Sequence, residues 1–100
     1  MRELITEVQW ATKIYYDGRR NDAYCLRGTV YTGKLLANCK AGDKVVIIQG
    51  DTQYPGRIWA VEIFNKVLDK GEAGQEVALF FDYGQRNLPE SKEVKIFLVD

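Results

Sequence analysis

Apolar and polar positions alternate with period two from Leu4 to Tyr16. Val8, Trp10, Thr12, Ile14 and Tyr16 fall on one side, and Glu7, Gln9, Ala11, Lys13 and Tyr15 on the other. Aromatic and β-branched residues at that period predict a half-buried strand. Asp17-Gly18 marks a turn, extended by the charged stretch Arg19-Arg20-Asn21-Asp22. A second strand is expected from Ala23 to Leu36, with Gly28 and Gly33 inside it as points of bending or close backbone approach. After a turn at Asn38–Asp43, the run Val45-Val46-Ile47-Ile48 predicts a strand buried on both faces. Gly50 to Gly56 reads as a loop, followed by a strand over Arg57–Phe64.

The stretch from Trp59 to Phe80 organises the rest. Val61, Phe64, Val67 and Leu68 also fall at helical spacing, but Gly71 and Gly74 interrupt that pattern. The expectation is strand, irregular polar loop over Asn65–Gly74, then a short buried strand at Val77–Phe81. A loop at Asp82–Pro89 and a last strand at Val94–Val99 complete the chain. Six or so short strands with frequent turn signals and no helix predict an all-β fold, a small antiparallel barrel or sandwich in one domain spanning residues 1–100, with the embedded glycines favouring the barrel.

Composition narrows the function. Fourteen basic and fourteen acidic side chains give a net charge of zero, so no bulk electrostatic grip on nucleic acid is available. Eight basic residues against five acidic in the first fifty residues, and six against nine in the second, leave only a mild polarity between the halves. No apolar run reaches the roughly 18–20 residues of a membrane-spanning helix, and the start Met1-Arg2-Glu3-Leu4-Ile5-Thr6-Glu7 lacks the apolar core of a signal peptide. A cytoplasmic location without membrane contact is expected. Cys25 and Cys39 stand apart and the chain has no histidine, which argues against a zinc site or a Cys–His nucleophile. Reduced thiols are expected.

Three patterns invite chemistry. Gly28-Thr29-Val30-Tyr31-Thr32-Gly33-Lys34 has the spacing of a phosphate loop, but Leu35 replaces the magnesium-binding hydroxyl and the intervening residues are strand formers. No nucleotide, cofactor or metal is expected. Glu62, Asp69, Glu72 and Glu76 offer carboxylates, with no spacing that sets one against another as acid and base, so no enzyme is expected. Arg19, Arg20 and Arg27 interleave with Tyr15, Tyr16, Tyr24 and Tyr31. Such mixtures stack bases on small barrels, and they also pack strand faces.

Two blocks carry a resemblance. Arg27-Gly28-Thr29-Val30-Tyr31-Thr32-Gly33-Lys34, followed by Lys40-Ala41-Gly42-Asp43-Lys44-Val45-Val46-Ile47, resembles the opening half of the second domain of elongation factor Tu and related translational GTPases. Val61-Glu62-Ile63-Phe64-Asn65-Lys66-Val67-Leu68-Asp69-Lys70-Gly71-Glu72-Ala73-Gly74-Gln75-Glu76-Val77 is similar to that domain's next signature. The resemblance implies a six-stranded Greek-key β-barrel. In it Val30, Val45, Ile47, Val61, Ile63, Val77 and Leu79 fill the interior, Gly28 and Gly33 bend a strand, and Gly42 and Gly74 supply positive-φ turns.

These residues contain no counterpart of a GTPase domain, so the resemblance implies no GTP hydrolysis by them. In the family this domain helps to form the pocket for the aminoacyl end of tRNA. Glu62 and Phe64 match pocket positions, while Asn65 stands in place of an arginine and Glu76 in place of an asparagine. Asn21, Asp22 and Ala23 stand where the family has acidic and aromatic residues. A lost cation and an added carboxylate weaken contact with an RNA terminus. The expectation is a non-catalytic, stand-alone barrel that binds the ribosome, tRNA or a translation-associated protein through Arg27, Glu62, Phe64, Asn65 and Glu76. A protein-interaction or structural module on the same scaffold is the alternative.

Overall fold

The computed structural model describes residues 2–14, 28–64, 66–81 and 88–99. Among these the chain is all-β, with nine strands in two antiparallel sheets that form a barrel-like domain. One sheet has the order β1-β9-β4-β5, built from β1 (Arg2–Glu7), β9 (Lys95–Val99), β4 (Lys44–Gln49) and β5 (Thr52–Arg57). The other has the order β2-β3-β8-β6-β7, built from β2 (Trp10–Ile14), β3 (Gly28–Lys34), β8 (Glu76–Phe81), β6 (Ala60–Ile63) and β7 (Lys66–Leu68).

Among the described residues nine strands stand in place of the expected six, because three boundaries differ. The single strand expected over Leu4–Tyr16 is two strands in different sheets. A register shift at Ile5 breaks the alternation, and the chain crosses between sheets at Val8 and Gln9. There Val8 donates its N–H to Val94 O at 2.9 Å and Gln9 to Thr32 O at 2.8 Å. Most of the expected loop at Gly50–Gly56 is strand β5, joined to β4 by the two residues Gly50-Asp51. Pro55 fits there because residues beside a two-residue turn bond to each other, and so do alternate pairs beyond. Counting from Gln49 and Thr52, the backbone of Pro55 points away from β4, toward the sheet edge, where a missing donor breaks no ladder bond. The third difference is β7, inside the expected irregular loop and paired antiparallel with β6 just beyond Phe64.

The core lies between the sheets. Ile5, Tyr31, Leu35, Val45, Ile47, Ile58, Val61, Val77, Leu79, Phe81 and Ile96 are buried in one cluster, with Ile63 packed against it. Val45, Ile47, Val61, Ile63, Val77 and Leu79 therefore face inward as expected. Val30 does not. It pairs with Phe80 on the outer face, and Tyr31 beside it is the β3 residue that enters the core. The Tyr31 ring meets Phe81 edge-on at 5.7 Å, and its hydroxyl donates to Pro89 O at 2.6 Å. Tyr31 is thus packing rather than a base-stacking platform. Burial raises the pKa of its phenol, with Tyr54 nearby adding to the effect, so it remains a neutral donor.

Glycine placement separates two physical causes. Gly42 and Gly74 have φ of 94° and 97°, the turn geometry expected of them. Gly33 is a matter of space: a Cβ there would stand 2.6 Å from Thr6 Oγ1 and 2.9 Å from Glu7 O. β1 crosses β3 at this point, and Thr6 Oγ1 donates to Lys34 O at 2.8 Å beside it.

Candidate functional site

β8 alternates buried Val77, Leu79 and Phe81 with more exposed Glu76, Ala78 and Phe80. The second set defines the outer face of the five-stranded sheet. Residues directly opposite in an antiparallel pair share a face, so the strand registers place side chains in rows. Trp10 pairs with Thr32, Thr32 with Ala78, Ala78 with Glu62, and Glu62 with Val67. One row down, Lys34 stands opposite Glu76.

Of the five residues expected to form the contact face, the structure brings Glu62, Phe64 and Glu76 to this region. Glu62 and Glu76 are diagonal neighbours across β6 and β8, about 7–8 Å apart by sheet geometry. Phe64 lies at the turn between β6 and β7. Arg27 and Asn65 lie outside the described residues, as do Arg19, Arg20, Tyr15, Tyr16, Tyr24 and Cys25.

Phe64 is 94% exposed and has φ of 50°. Among the described residues it is the one non-glycine with positive φ. A left-handed conformation disfavours a bulky L-residue by about 1–2 kcal/mol, and an exposed ring gives nothing back through packing. Local stability does not account for phenylalanine at this tip. Val67, 53% exposed, adds apolar surface to the same hairpin.

Glu62 is half-buried, and this desolvation raises its pKa. Its cross-strand neighbours are Ala78 and Val67, neither of them charged. Glu76, by contrast, has a lysine opposite. The face thus carries one carboxylate without a facing cation, between small and apolar side chains.

Three of the surrounding residues, Trp10, Thr32 and Val67, are not legible from sequence as parts of a site. Trp10 is 66% exposed at the β2 edge. Its period-two pattern suggests a buried face, and only the shift at Ile5 and the sheet crossing reveal the opposite. Among the described residues no group of three or more potential ligands could hold a metal ion. Cys39 is a free, buried thiol whose pKa burial pushes up to about 11, with Asp43 adding to it. It is a poor nucleophile. On the other sheet an open groove of about 630 Å³ is lined by Val8, Ile48, Val94 and Phe97, with Glu7, Lys92, Glu93 and Lys95 among its charged residues. There the Glu7 carboxylate and the Lys95 ammonium lie 3.6 Å apart, so charge is matched within the groove.

No family model matches the chain. Solved structures of similar fold include the GTPase-like domain of Ski7 from S. cerevisiae, bound to GDP and inorganic phosphate in one structure and to GTP in another. Each aligns with a TM-score of 0.70 at 8% identity over 98% of this chain. The chain spans about a quarter (23%) of the length of those proteins. At that identity the likeness shows the fold alone: a β domain of the kind found in the GTPase-like domain of Ski7.

Proposed function

We propose that the chain is a non-catalytic, cytoplasmic binding module of translation-factor type. It docks on a component of the translation apparatus, the ribosome first of all, through the outer face of the five-stranded sheet. Phe64 carries this reading. A fully exposed aromatic held in an unfavourable backbone conformation gives the fold nothing, and surfaces of that kind recur where partners bind. Glu62, Glu76 and the apolar Val67 and Trp10 extend the face around it. The likeness in fold to a GTPase-like protein supports the translation setting.

Co-sedimentation with purified ribosomes at micromolar concentrations tests it. Retention of the wild-type chain, reduced at least several-fold by Phe64→Ser, is expected; absence of the wild type from the ribosome pellet would sink the reading. Two contact modes are open to such a face. Direct RNA contact is supported by the exposed rings, since aromatic side chains stack bases. Protein contact is supported by Glu62, whose cross-strand neighbours Ala78 and Val67 carry no charge, since a carboxylate so placed disfavours a phosphate backbone.

A further inference from the structure

We propose that the outer face of the five-stranded sheet takes a basic, extended segment of a partner protein. An arginine or lysine of that segment pairs with Glu62, and the flanking residues lie over Thr32 and Ala78 against the ring of Trp10. The inference rests on the reading that this face docks a partner, and it names that partner's chemistry.

Side-chain size changes sharply along the row. Trp10 and Glu62 are separated by three strand spacings, about 14 Å along the sheet, and the positions between them hold the small residues Thr32 and Ala78. The two long side chains therefore wall a shallow trough. From Trp10 to Val67 the row measures about 19 Å, the length of roughly six extended residues.

Charge selects the occupant. Among the described residues the outer face carries Lys34 and Glu76 opposite each other, and Glu62 with only Val67 and Ala78 beside it. Among the described residues two carboxylates thus stand against one lysine, a balance that disfavours a polyanion. They attract a cation, most strongly at the carboxylate that has none facing it. A half-buried carboxylate flanked by apolar groups is also costly to the isolated fold, and an incoming guanidinium removes that cost. The exposed face of Trp10 adds a second attraction, because indole rings bind arginine and lysine side chains.

The probe is a synthetic peptide of about eight residues, glycine and serine with two arginines, long enough for the row. It is compared with the same peptide carrying citrulline in place of arginine, and with a short oligouridylate. Tryptophan fluorescence and amide chemical shifts follow the titrations. The arginine peptide should bind, with shifts concentrated at Trp10, Thr32, Glu62 and Ala78. Glu62→Gln should weaken it about tenfold, as expected for a charge-assisted contact, and Trp10→Ala severalfold. Glu93→Gln, away from this face, should leave binding unchanged, and Glu62→Gln should not lower the melting temperature.

Equal binding of the citrulline peptide, equal losses in the Glu62 and Glu93 variants, or binding of oligouridylate without the arginine peptide would each overturn the inference. So would binding of neither probe. If the chain still co-sediments with ribosomes in that case, the docking reading survives and only the partner's chemistry is wrong. Peptide binding without co-sedimentation is the converse: recognition of the basic segment stands and the ribosome reading fails.

Discussion

Replacing Gly33 by alanine is the sharpest test of the fold. Gly33 lies on the inner side of β3, and its φ is not positive, so backbone strain plays no part. The added methyl would lie 2.6 Å from Thr6 Oγ1 and 2.9 Å from Glu7 O, both closer than a carbon approaches an oxygen. Moving Thr6 puts at risk its 2.8 Å bond to Lys34 O, worth about 1 kcal/mol net and more if a buried partner is left unpaired. Separating β1 from β3 enough to clear the Glu7 carbonyl adds an overpacking cost of about 1–3 kcal/mol. Together these give about 2–4 kcal/mol, which for a domain of this size lowers the melting temperature by roughly 10–30 °C. Thermal melts of Gly33→Ala in the wild-type and Thr6→Ala backgrounds separate the two contributions. Removing Oγ1 relieves the nearer overlap, so the glycine substitution should cost about 1 kcal/mol less in the second background. A melt within two or so degrees of wild type, or identical costs in both backgrounds, would refute the crossing geometry.

Other sites can be probed by single substitutions or by titration. Phe64→Gly should raise stability by about 0.5–1 kcal/mol in denaturant titrations, because φ of 50° suits glycine, while ribosome retention falls. Tyr31→Phe removes the donor to Pro89 O and should cost about 1–2 kcal/mol by the same assay. Cys39 should resist alkylation at neutral pH in the folded protein and react on unfolding, as site-resolved mass spectrometry can report, since the thiol is buried and burial pushes its pKa up to about 11. Glu62 has a raised pKa when folded, so the folded state binds the more protons at a pH between its unfolded and folded values. Its contribution is present below the unfolded pKa and lost as pH rises through the folded one. Mild acidification should therefore favour folding slightly more in wild type than in Glu62→Gln, as paired melts would measure.

Sequence signals are strongest where side-chain burial alone decides structure. β4, β8 and β9 are runs of apolar residues with little competing pattern, and their positions match the expectation closely. Gly42 and Gly74 are legible because positive φ has a residue preference of its own. The departures share a different cause. Leu4–Tyr16 reads as one alternating run, and nothing in that pattern marks a chain that changes sheets at Val8. β5 is hidden by glycine and proline, whose turn preference is overridden by pairing with β4. Lys66–Leu68 is too short to signal a strand until β6 is placed beside it.

The candidate site is half visible for the same reason. Glu62, Phe64 and Glu76 come from resemblance, whereas Trp10 and Thr32 are distant in sequence and reach Glu62 only through two strand registers. Val30 reads as inward because valine prefers burial. It is buried, but on the outer side of its sheet.

The crossing at Val8 and Gln9 has a consequence for how the molecule comes apart. One continuous backbone is the rim of the first sheet and, two residues later, the rim of the second, with Val8 tied to Val94 and Gln9 to Thr32. Peeling β1 from β9 pulls on β2, and melting β2 slackens the bracket that holds β1. The crossing thus couples the two layers, and opening of one is expected to strain the other.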